Sequence, residues 1–177
     1  MIFYNTPTLS EDENYSRYIK MGIDEIPPIN PVGKIIQFDN GMHVNARSTR
    51  IRLFIEKRDF VCHFCGIRVE FAAVEDNSRK NNNGHITYKK NVVKATPHLN
   101  FYGIDNNGKE VLMTWDHITP RSLGGKDSLD NAQCLCCYCN GFKGNSFDYE
   151  SVKQHRIEKN MPTFYEYDGD KTIYHWS

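Results

Sequence analysis

Hydrophobic positions along the chain follow two spacings, one typical of helices and one typical of strands. Between residues 48 and 59, Ile51, Phe54 and Ile55 recur at helical spacing, and Ser48 or Thr49 can cap the first turn. Elsewhere, strand-like runs flank short turns rich in Asn, Asp and Gly, a pattern that predicts hairpins. The predicted strand pairs are 34–38 with 42–45, 99–105 with 109–117, and 163–167 with 171–176, and a single strand is expected near 67–71.

Helix breakers and polar runs interrupt these patterns. Prolines at 27, 28 and 31 end any helix begun near Glu11, and the Asn- and Lys-rich run 77–83 predicts an exposed loop in an irregular stretch that reaches residue 90. A helix is expected after Cys139, with interruptions near Gly141 and Gly144. A second helix is expected from residue 146 or 148 to residue 160, before Pro162.

The length of 177 residues predicts one compact core with additions at both ends. We expect an N-terminal extension with a short hairpin over 1–46, a core over 47–147 with an insertion at about 67–112, and a helix and hairpin over 148–177. The first thirty residues are acidic, and we interpret them as a solvated face.

Composition narrows the class of protein. Hydrophobic residues make up 39% and charged residues 25% of the chain, and no apolar run approaches the ~18 residues of a membrane span. The first ten residues lack the features of a secretory signal, so we expect a cytoplasmic protein in a reducing compartment. A formal net charge of zero argues against a uniformly basic nucleic-acid binder, so any such binding depends on local patches.

The six cysteines are the strongest chemical signal. In a reducing compartment, cysteines at Cys-x-x-Cys spacing indicate a metal site, and two such pairs can close a tetrahedral zinc ion. Cys62 and Cys65 form the first pair. The second pair is either Cys136 with Cys139 or the interleaved pair at 134 and 137, and spacing alone does not choose. We favour Cys136 and Cys139, because they place the last ligand just before a predicted helix.

A second motif begins between the cysteine pairs and overlaps the second pair. Asp116 and His117 are adjacent just before a proline, and downstream come a Gly-Gly pair, Asn131 and the segment Leu-Cys-Cys-Tyr-Cys-Asn that ends at Asn140. Together with the first cysteine pair, this arrangement resembles the HNH endonucleases over residues 60–66 and 115–145. The resemblance implies an α+β fold with a ββα-metal core, a structural zinc knuckle, an inserted hairpin and decorations at both termini.

The resemblance also implies roles for individual residues. His117 would act as the general base that takes a proton from water. Asp116 and Asn140 would bind one Mg²⁺ or Mn²⁺ ion through oxygen atoms. Asn131 would brace the loop between strand and helix. On an ideal strand, Asp116 and His117 point to opposite faces, so we expect the strand to end or twist at this pair.

The implied substrate is DNA, which we favour over RNA, and the implied reaction is hydrolysis of a phosphodiester bond. Two juxtaposed active sites, for example in a homodimer, would give a double-strand break. Arg121, Lys143, Arg47 and Arg50 are the expected nucleic-acid contacts. The alternative is a noncatalytic zinc-stabilised module that binds nucleic acid or protein, for which Asp116, His117 and Asn140 would have no chemical use. Sequence preference and branch specificity are not encoded in these motifs.

Overall fold

The computed structural model describes residues 1–9, 16–76, 78–80, 86–88, 97–145, 148–169 and 172–176, and the side chains of 4–9, 78–80 and 86–88 lie outside this description. The fold mixes strands and helices, with a sheet-rich core and few helices. The strands are β1 Ile2–Leu9, β2 Ser16–Gly22, β3 Ile35–Gln37, β4 His43–Asn45, β5 Phe71–Asp76, β6 Ser78–Lys80, β7 Ile86–Tyr88, β8 His98–Ile104, β9 Glu110–His117, β10 Ala132–Cys136, β11 Phe164–Tyr167 and β12 Thr172–His175. The helices are α1 Thr49–Ile55, α2 Cys137–Lys143 and α3 Tyr149–Glu158, with short 3₁₀ helices at Ile23–Glu25 and Arg121–Leu123.

The chain divides into two compact units, which each combine separate stretches of sequence. The first unit contains residues 1–47 and 70–102, and the second contains residues 48–69 and 103–177. The N-terminal stretch and most of the segment expected to be an insertion therefore fold together. The predicted three-part division of the sequence stays a prediction.

In the first unit, β1, β2, β5 and β8 form an antiparallel arrangement in that order. One face of it carries a buried polar network. Arg17 Nε donates to Glu75 Oε1 at 2.7 Å, and Asn100 Nδ2 and Tyr102 OH donate to Glu75 Oε2 at 2.7 and 2.6 Å. Glu75 is fully buried, so its carboxylate loses its hydrogen bonds to water on folding. The hydrogen bonds from these three donors compensate for that loss.

The second unit contains α1, the hairpin of β9 and β10, α2, α3 and the β11–β12 pair. Ser48 caps α1, since its side chain accepts a hydrogen bond from the Ile51 backbone N–H at 3.3 Å. β9 and β10 are antiparallel, and His117 is paired with Ala132 at the open end. The core of this unit contains fully buried apolar side chains, among them those of Leu53, Phe54, Ile67, Met113 and Leu135.

Several predicted elements need correction. The strand expected near 67–71 begins only at Phe71, because the backbone of residues 67–69 bonds back to Phe60 and Cys62 and closes a tight turn. α2 begins at Cys137 and not after Cys139, runs through Gly141 without a break and ends at Lys143, with Gly144 as its C-cap. The irregular stretch 77–90 contains β6 and β7, while residues 77, 81–85 and 89–90 lie outside the described residues. The predicted pairs 34–38 with 42–45 and 163–167 with 171–176 are confirmed, and so is the helix before Pro162. Strands β8 and β9 also form close to the ranges 99–105 and 109–117 that the sequence predicted.

Among the helices of the described residues, none has the length and apolar character needed to cross a membrane.

Candidate metal centre and active site

Four cysteines from two turns meet inside the second unit. Cys62 and Cys65 lie on the turn that follows α1, whereas Cys136 caps α2 and Cys139 lies in its first turn. Their sulfur atoms all lie within 4.8 Å of one another, and all four side chains are buried. The predicted choice of Cys136 and Cys139 as the second pair is confirmed as a spatial cluster.

The four sulfur atoms fit a tetrahedral zinc ion. Zinc–sulfur bonds of about 2.3 Å place the corners of a tetrahedron about 3.8 Å apart. Cys65 Sγ and Cys136 Sγ are 3.7 Å apart. Backbone N–H groups of Cys65 and Cys139 point to the sulfurs of Cys62 and Cys136 at 3.5 and 3.4 Å, as expected where thiolates accept hydrogen bonds from a knuckle turn. The cluster is therefore compatible with one closed, structural zinc site.

The first turn depends on Gly66. Its φ of 76° lies in the left-handed region, and a Cβ atom there would stand 2.4 Å from the carbonyl oxygen of Tyr165. Tyr165 N in turn donates to the Cys65 carbonyl at 2.6 Å. The β11 strand thus packs directly on the backbone of the turn that carries Cys62 and Cys65.

Arg156 of α3 lies beside the cluster and is 1% exposed. Its Nη1 donates to Cys139 Sγ at 3.4 Å, its Nε donates to the Pro162 carbonyl at 2.6 Å, and its Nη2 contacts Tyr165 OH at 3.5 Å. Burial lowers the pKa of Arg156, but nearby thiolate charge, mainly from Cys65 and Cys139, outweighs burial and raises the pKa above its usual value. The guanidinium therefore offsets part of the negative charge of a four-thiolate site.

The other two cysteines are not members of the four-ligand group found among the described residues. Cys134 is fully buried in β10, and burial raises the pKa of its thiol far above the usual value. Cys137 is half-buried. Asp59 connects this strand to the turn, because its Oδ2 accepts from Cys134 N at 3.1 Å and lies 3.0 Å from His63 Nε2.

β9 ends at His117, as expected, and the chain bends at Ile118 and Thr119. Asp116 faces α2 and β10. Its Oδ2 lies 2.9 Å from Lys143 Nζ and accepts from Gln133 Nε2 at 3.0 Å. Lys143 Nζ also donates to the His117 carbonyl at 3.3 Å. The side chain of Lys143 is only 1% exposed, so its ammonium group is engaged inside the protein at Asp116.

Asn140 lies one turn before Lys143 on α2, and its amide orientation follows from its partners. Thr114 Oγ1 donates its only hydrogen to the Leu135 carbonyl at 2.8 Å. That hydroxyl can then only accept from Asn140, so the atom of Asn140 that lies 2.8 Å away is Nδ2. The oxygen of the Asn140 amide is consequently directed away from Thr114.

His117 has different partners from Asp116. Its Nε2 lies 2.6 Å from Asp127 Oδ1, and its ring packs against Trp115, with ring centroids 4.6 Å apart. The side chain is 15% exposed. Arg121 Nη1 lies 3.9 Å from the other oxygen of Asp127, and both of these charged side chains are more than half exposed. The imidazole is thus held at the edge of the loop that joins β9 to β10.

Asn131 holds that loop together. Its Oδ1 accepts from Thr119 N at 2.8 Å, and its Nδ2 donates to the carbonyls of Thr119 and Lys126 at 3.0 Å each. Gly125 is required for this packing, because a Cβ atom there would stand 1.7 Å from the Thr119 carbonyl oxygen. All the contacts of the Asn131 side chain described here are to backbone.

The hairpin of β9 and β10 thus carries Asp116 and His117 at its open end, and the helix that follows it carries Asn140. Residues 105–156 match the family model of the HNH endonucleases. The HNH match covers β9, β10, α2 and most of α3, with Cys136 and Cys139, and begins after the first cysteine pair. It confirms the resemblance for this part of the chain and indicates nuclease-type activity. Searches of curated proteins and of solved structures found no match to the chain.

The sequence-predicted basic contacts are dispersed. Arg121 is 72% exposed on the loop beside His117, and Arg50 is half-buried in α1. Arg47 is exposed and belongs to the first unit. Lys143 is buried, as described above.

Three residues that hold the predicted site residues in place were not predicted from the sequence. Asp127, Thr114 and Arg156 all contact a predicted site residue through a side chain. Thr114 carries a usable signal, because two-residue periodicity places it on the face of β9 that also carries Asp116. Asp127 and Arg156 carry none, since their partners depend on the course of a loop and on the packing of two helices.

Proposed function

We propose that this protein is a metal-dependent HNH endonuclease that hydrolyses DNA phosphodiester bonds. The observation that carries the proposal is the placement of Asp116 and His117 at the end of β9, beside the helix that carries Asn140, within the segment that matches the family. β9, β10 and α2 would form the ββα-metal core. The four-cysteine cluster would hold one structural zinc ion next to it.

The residues present fit a hard divalent cation. Asp116 and Asn140 offer a carboxylate and an amide oxygen, which are the donor types preferred by Mg²⁺ and Mn²⁺. Both contacts described for the Asp116 carboxylate go to Oδ2, and the hydrogen bond from Nδ2 to Thr114 directs the Asn140 oxygen away from Thr114. When bound, such an ion supplies charge stabilisation at the phosphate and the leaving oxygen.

His117 would take a proton from the attacking water. The loop braced by Asn131 holds the backbone just after His117, so Asn131 contributes to position rather than to chemistry. Arg121 on the same loop and Arg50 on α1 would contact phosphates, with Arg47 as a further contact in the first unit. Lys143 would act through Asp116, because its ammonium group lies against that carboxylate.

The test is a cleavage assay on supercoiled, linear, branched and single-stranded DNA, and on RNA, with Mg²⁺, with Mn²⁺ and with EDTA. His117→Ala should lower the single-turnover rate by about 10² to 10⁴, the usual effect of removing a general base. His175→Ala is the matched control, since His175 is paired with Glu166 on the β11–β12 hairpin. Its rate should equal that of the wild type, and zinc content should be unchanged in both variants.

Asp116→Ala and Asn140→Ala should also lose activity, and higher Mg²⁺ or Mn²⁺ should restore part of it, because these residues are assigned to the metal. The same ions should not restore His117→Ala. Wild-type protein that binds DNA but cuts none of these substrates would instead favour the noncatalytic binding module. Paired nicks in supercoiled DNA, together with a dimer in analytical ultracentrifugation, would support a homodimer that makes double-strand breaks.

A further inference from the structure

Asp127 contacts the proposed general base directly. Its Oδ1 lies 2.6 Å from Nε2 of His117, the last residue of β9, and Asp127 follows ten positions later in the loop between β9 and β10. The imidazole also packs against Trp115, and the backbone carbonyl of His117 accepts a hydrogen bond from Lys143 Nζ. This ring therefore has a defined orientation before any substrate arrives.

The chemistry of the pair defines which ring nitrogen carries the hydrogen. An ionised carboxylate only accepts hydrogen bonds, so the nitrogen that faces Asp127 must be the donor. In neutral His117 that nitrogen is Nε2, which leaves the lone pair on Nδ1. An exposed ion pair contributes little to stability, but a carboxylate that accepts from one nitrogen of an imidazole selects one tautomer.

We propose that Asp127 is a positioning residue that holds His117 in the Nε2–H tautomer and thereby makes Nδ1 the atom that receives the proton. This inference rests on the proposed function for its catalytic consequence. In the step, an O–H bond of water breaks and its proton goes to Nδ1 of His117. The hydroxide oxygen forms a bond to phosphorus, and the bond from phosphorus to the leaving oxygen breaks.

The first experiment needs neither DNA nor activity. Nitrogen NMR of protein with ¹⁵N-labelled histidine, with His117 assigned by comparison with His117→Ala, should show the Nε2–H tautomer and a slowly exchanging Nε2 proton in the neutral wild type. Asp127→Ala should lose the protected proton and give mixed tautomers. Asp130→Ala, which removes another exposed carboxylate from the same loop, should keep the wild-type pattern. A wild-type His117 that carries its hydrogen on Nδ1 would overturn the inference.

The second experiment measures the catalytic consequence. Asp127→Ala should lower the single-turnover rate of DNA cleavage at saturating metal by about 10- to 100-fold, the range expected for one hydrogen bond to a charged group. Asp127→Glu, which keeps the carboxylate, should recover part of the rate. Mn²⁺ affinity measured by electron paramagnetic resonance and DNA affinity should not change, and Asp130→Ala should cut like the wild type.

The outcomes separate the two proposals. An Asp127→Ala variant that cuts at the wild-type rate, while His117→Ala is inactive, would refute the positioning role and leave the nuclease intact. A large loss of Mn²⁺ affinity in Asp127→Ala would make Asp127 a metal ligand and would also refute it. If the wild type cuts no substrate, the proposed function fails, and the NMR experiment still decides whether Asp127 fixes the tautomer.

Discussion

The two ends of α2 differ in the burial of the side chains around them and in the interactions that hold those side chains. The first turn carries Cys136 and Cys139, which are 1% and 0% exposed and meet two further buried cysteines. Further along the helix, Asn140 and Lys143 approach β9, where the Asp116 and His117 side chains are 12% and 15% exposed. The cysteine cluster is closed to water, whereas the side chains of Asp116 and His117 are partly exposed to it. A structural metal site requires the first condition, whereas a hydrolytic site must admit water and substrate.

The difference also appears in how each end is held. At the cysteine cluster, the proposed zinc ion would be held by four sulfur atoms at once, so their contribution to stability would be collective and large. At the β9 end, each polar side chain is positioned by one or two hydrogen bonds, which contribute about 1 kcal/mol each. Substitutions in the two regions should therefore give effects of different kinds, unfolding in one and loss of function without unfolding in the other.

The largest expected effect is that of Cys136→Ser. Zinc binding by four thiolates is worth about 10 kcal/mol or more, which equals the whole stability of a typical domain. Loss of one ligand should therefore abolish cooperative unfolding of the second unit and reduce zinc content, which elemental analysis and calorimetry will measure. Cys137→Ser changes a half-buried cysteine outside the four-ligand group and should keep both zinc and the unfolding transition. Equal behaviour of the two variants would contradict the assignment.

A smaller effect is expected from Arg156→Met, which keeps much of the side-chain volume and removes the charge. Without the guanidinium, Cys139 Sγ, the Pro162 carbonyl and Tyr165 OH lose the contacts described here, and the thiolate charge is less compensated. Removal of one partner of a buried charge pair costs about 3 to 5 kcal/mol. Melting temperature and zinc affinity, measured by competition with a chelator, should both fall.

Gln154→Met is the control for Arg156→Met, because Gln154 is an exposed residue of the same helix whose amide contacts Glu158. Its stability should remain within about 0.5 kcal/mol of the wild type. If Arg156→Met keeps its zinc affinity while losing stability, Arg156 serves packing and not the metal centre.

Local signals explain what the sequence could predict. The predicted hairpin pairs needed only alternating side chains and turn residues, and the Cys-x-x-Cys pairs needed only the geometry of a short turn. The Ser48 cap is equally local, since it bonds three residues ahead. The choice between the two interleaved cysteine pairs was not decided by a local signal: α2 begins at Cys137 and contains Cys139, which sequence had placed just before the helix, and the spatial cluster identifies the pair.

Nonlocal pairing explains what the sequence could not predict. β2 carries Arg17 on a buried face, which is unfavourable until Glu75, 58 residues away, provides the counter-charge. Patterns in the first thirty residues alone therefore do not predict β2. The acidic residues Asp24 and Glu25 are exposed, as expected for a solvated face, and Glu11, Asp12 and Glu13 lie outside the described residues. In the site, Thr114 and Asn140 are 26 residues apart, and Arg156 and Cys139 are 17 apart. Such pairs depend on how helices and strands pack, which no short motif encodes.

The smallest expected effect, and the sharpest for the β9 end, is that of Thr114→Val. Valine has nearly the same shape as threonine but cannot accept a hydrogen bond, so nothing would hold Asn140 with its Nδ2 toward β9. The amide could then rotate and present nitrogen where an oxygen ligand is required.

Substitution of a residue that orients a metal ligand commonly lowers metal affinity by about 10- to 100-fold. Mn²⁺ affinity, measured by electron paramagnetic resonance, should fall within this range, and higher Mn²⁺ should restore the cleavage rate. Zinc content should be unchanged, and the melting temperature should fall by only a few degrees, because the substitution removes two hydrogen bonds, one to the Leu135 carbonyl and one from Asn140. Thr172→Val on β12 removes a hydroxyl elsewhere in the same unit and should leave Mn²⁺ affinity as it is. Unchanged Mn²⁺ affinity in Thr114→Val would mean that Asn140 does not bind the metal through an oxygen oriented by Thr114, and the proposed ligand set at this end of α2 would have to be revised.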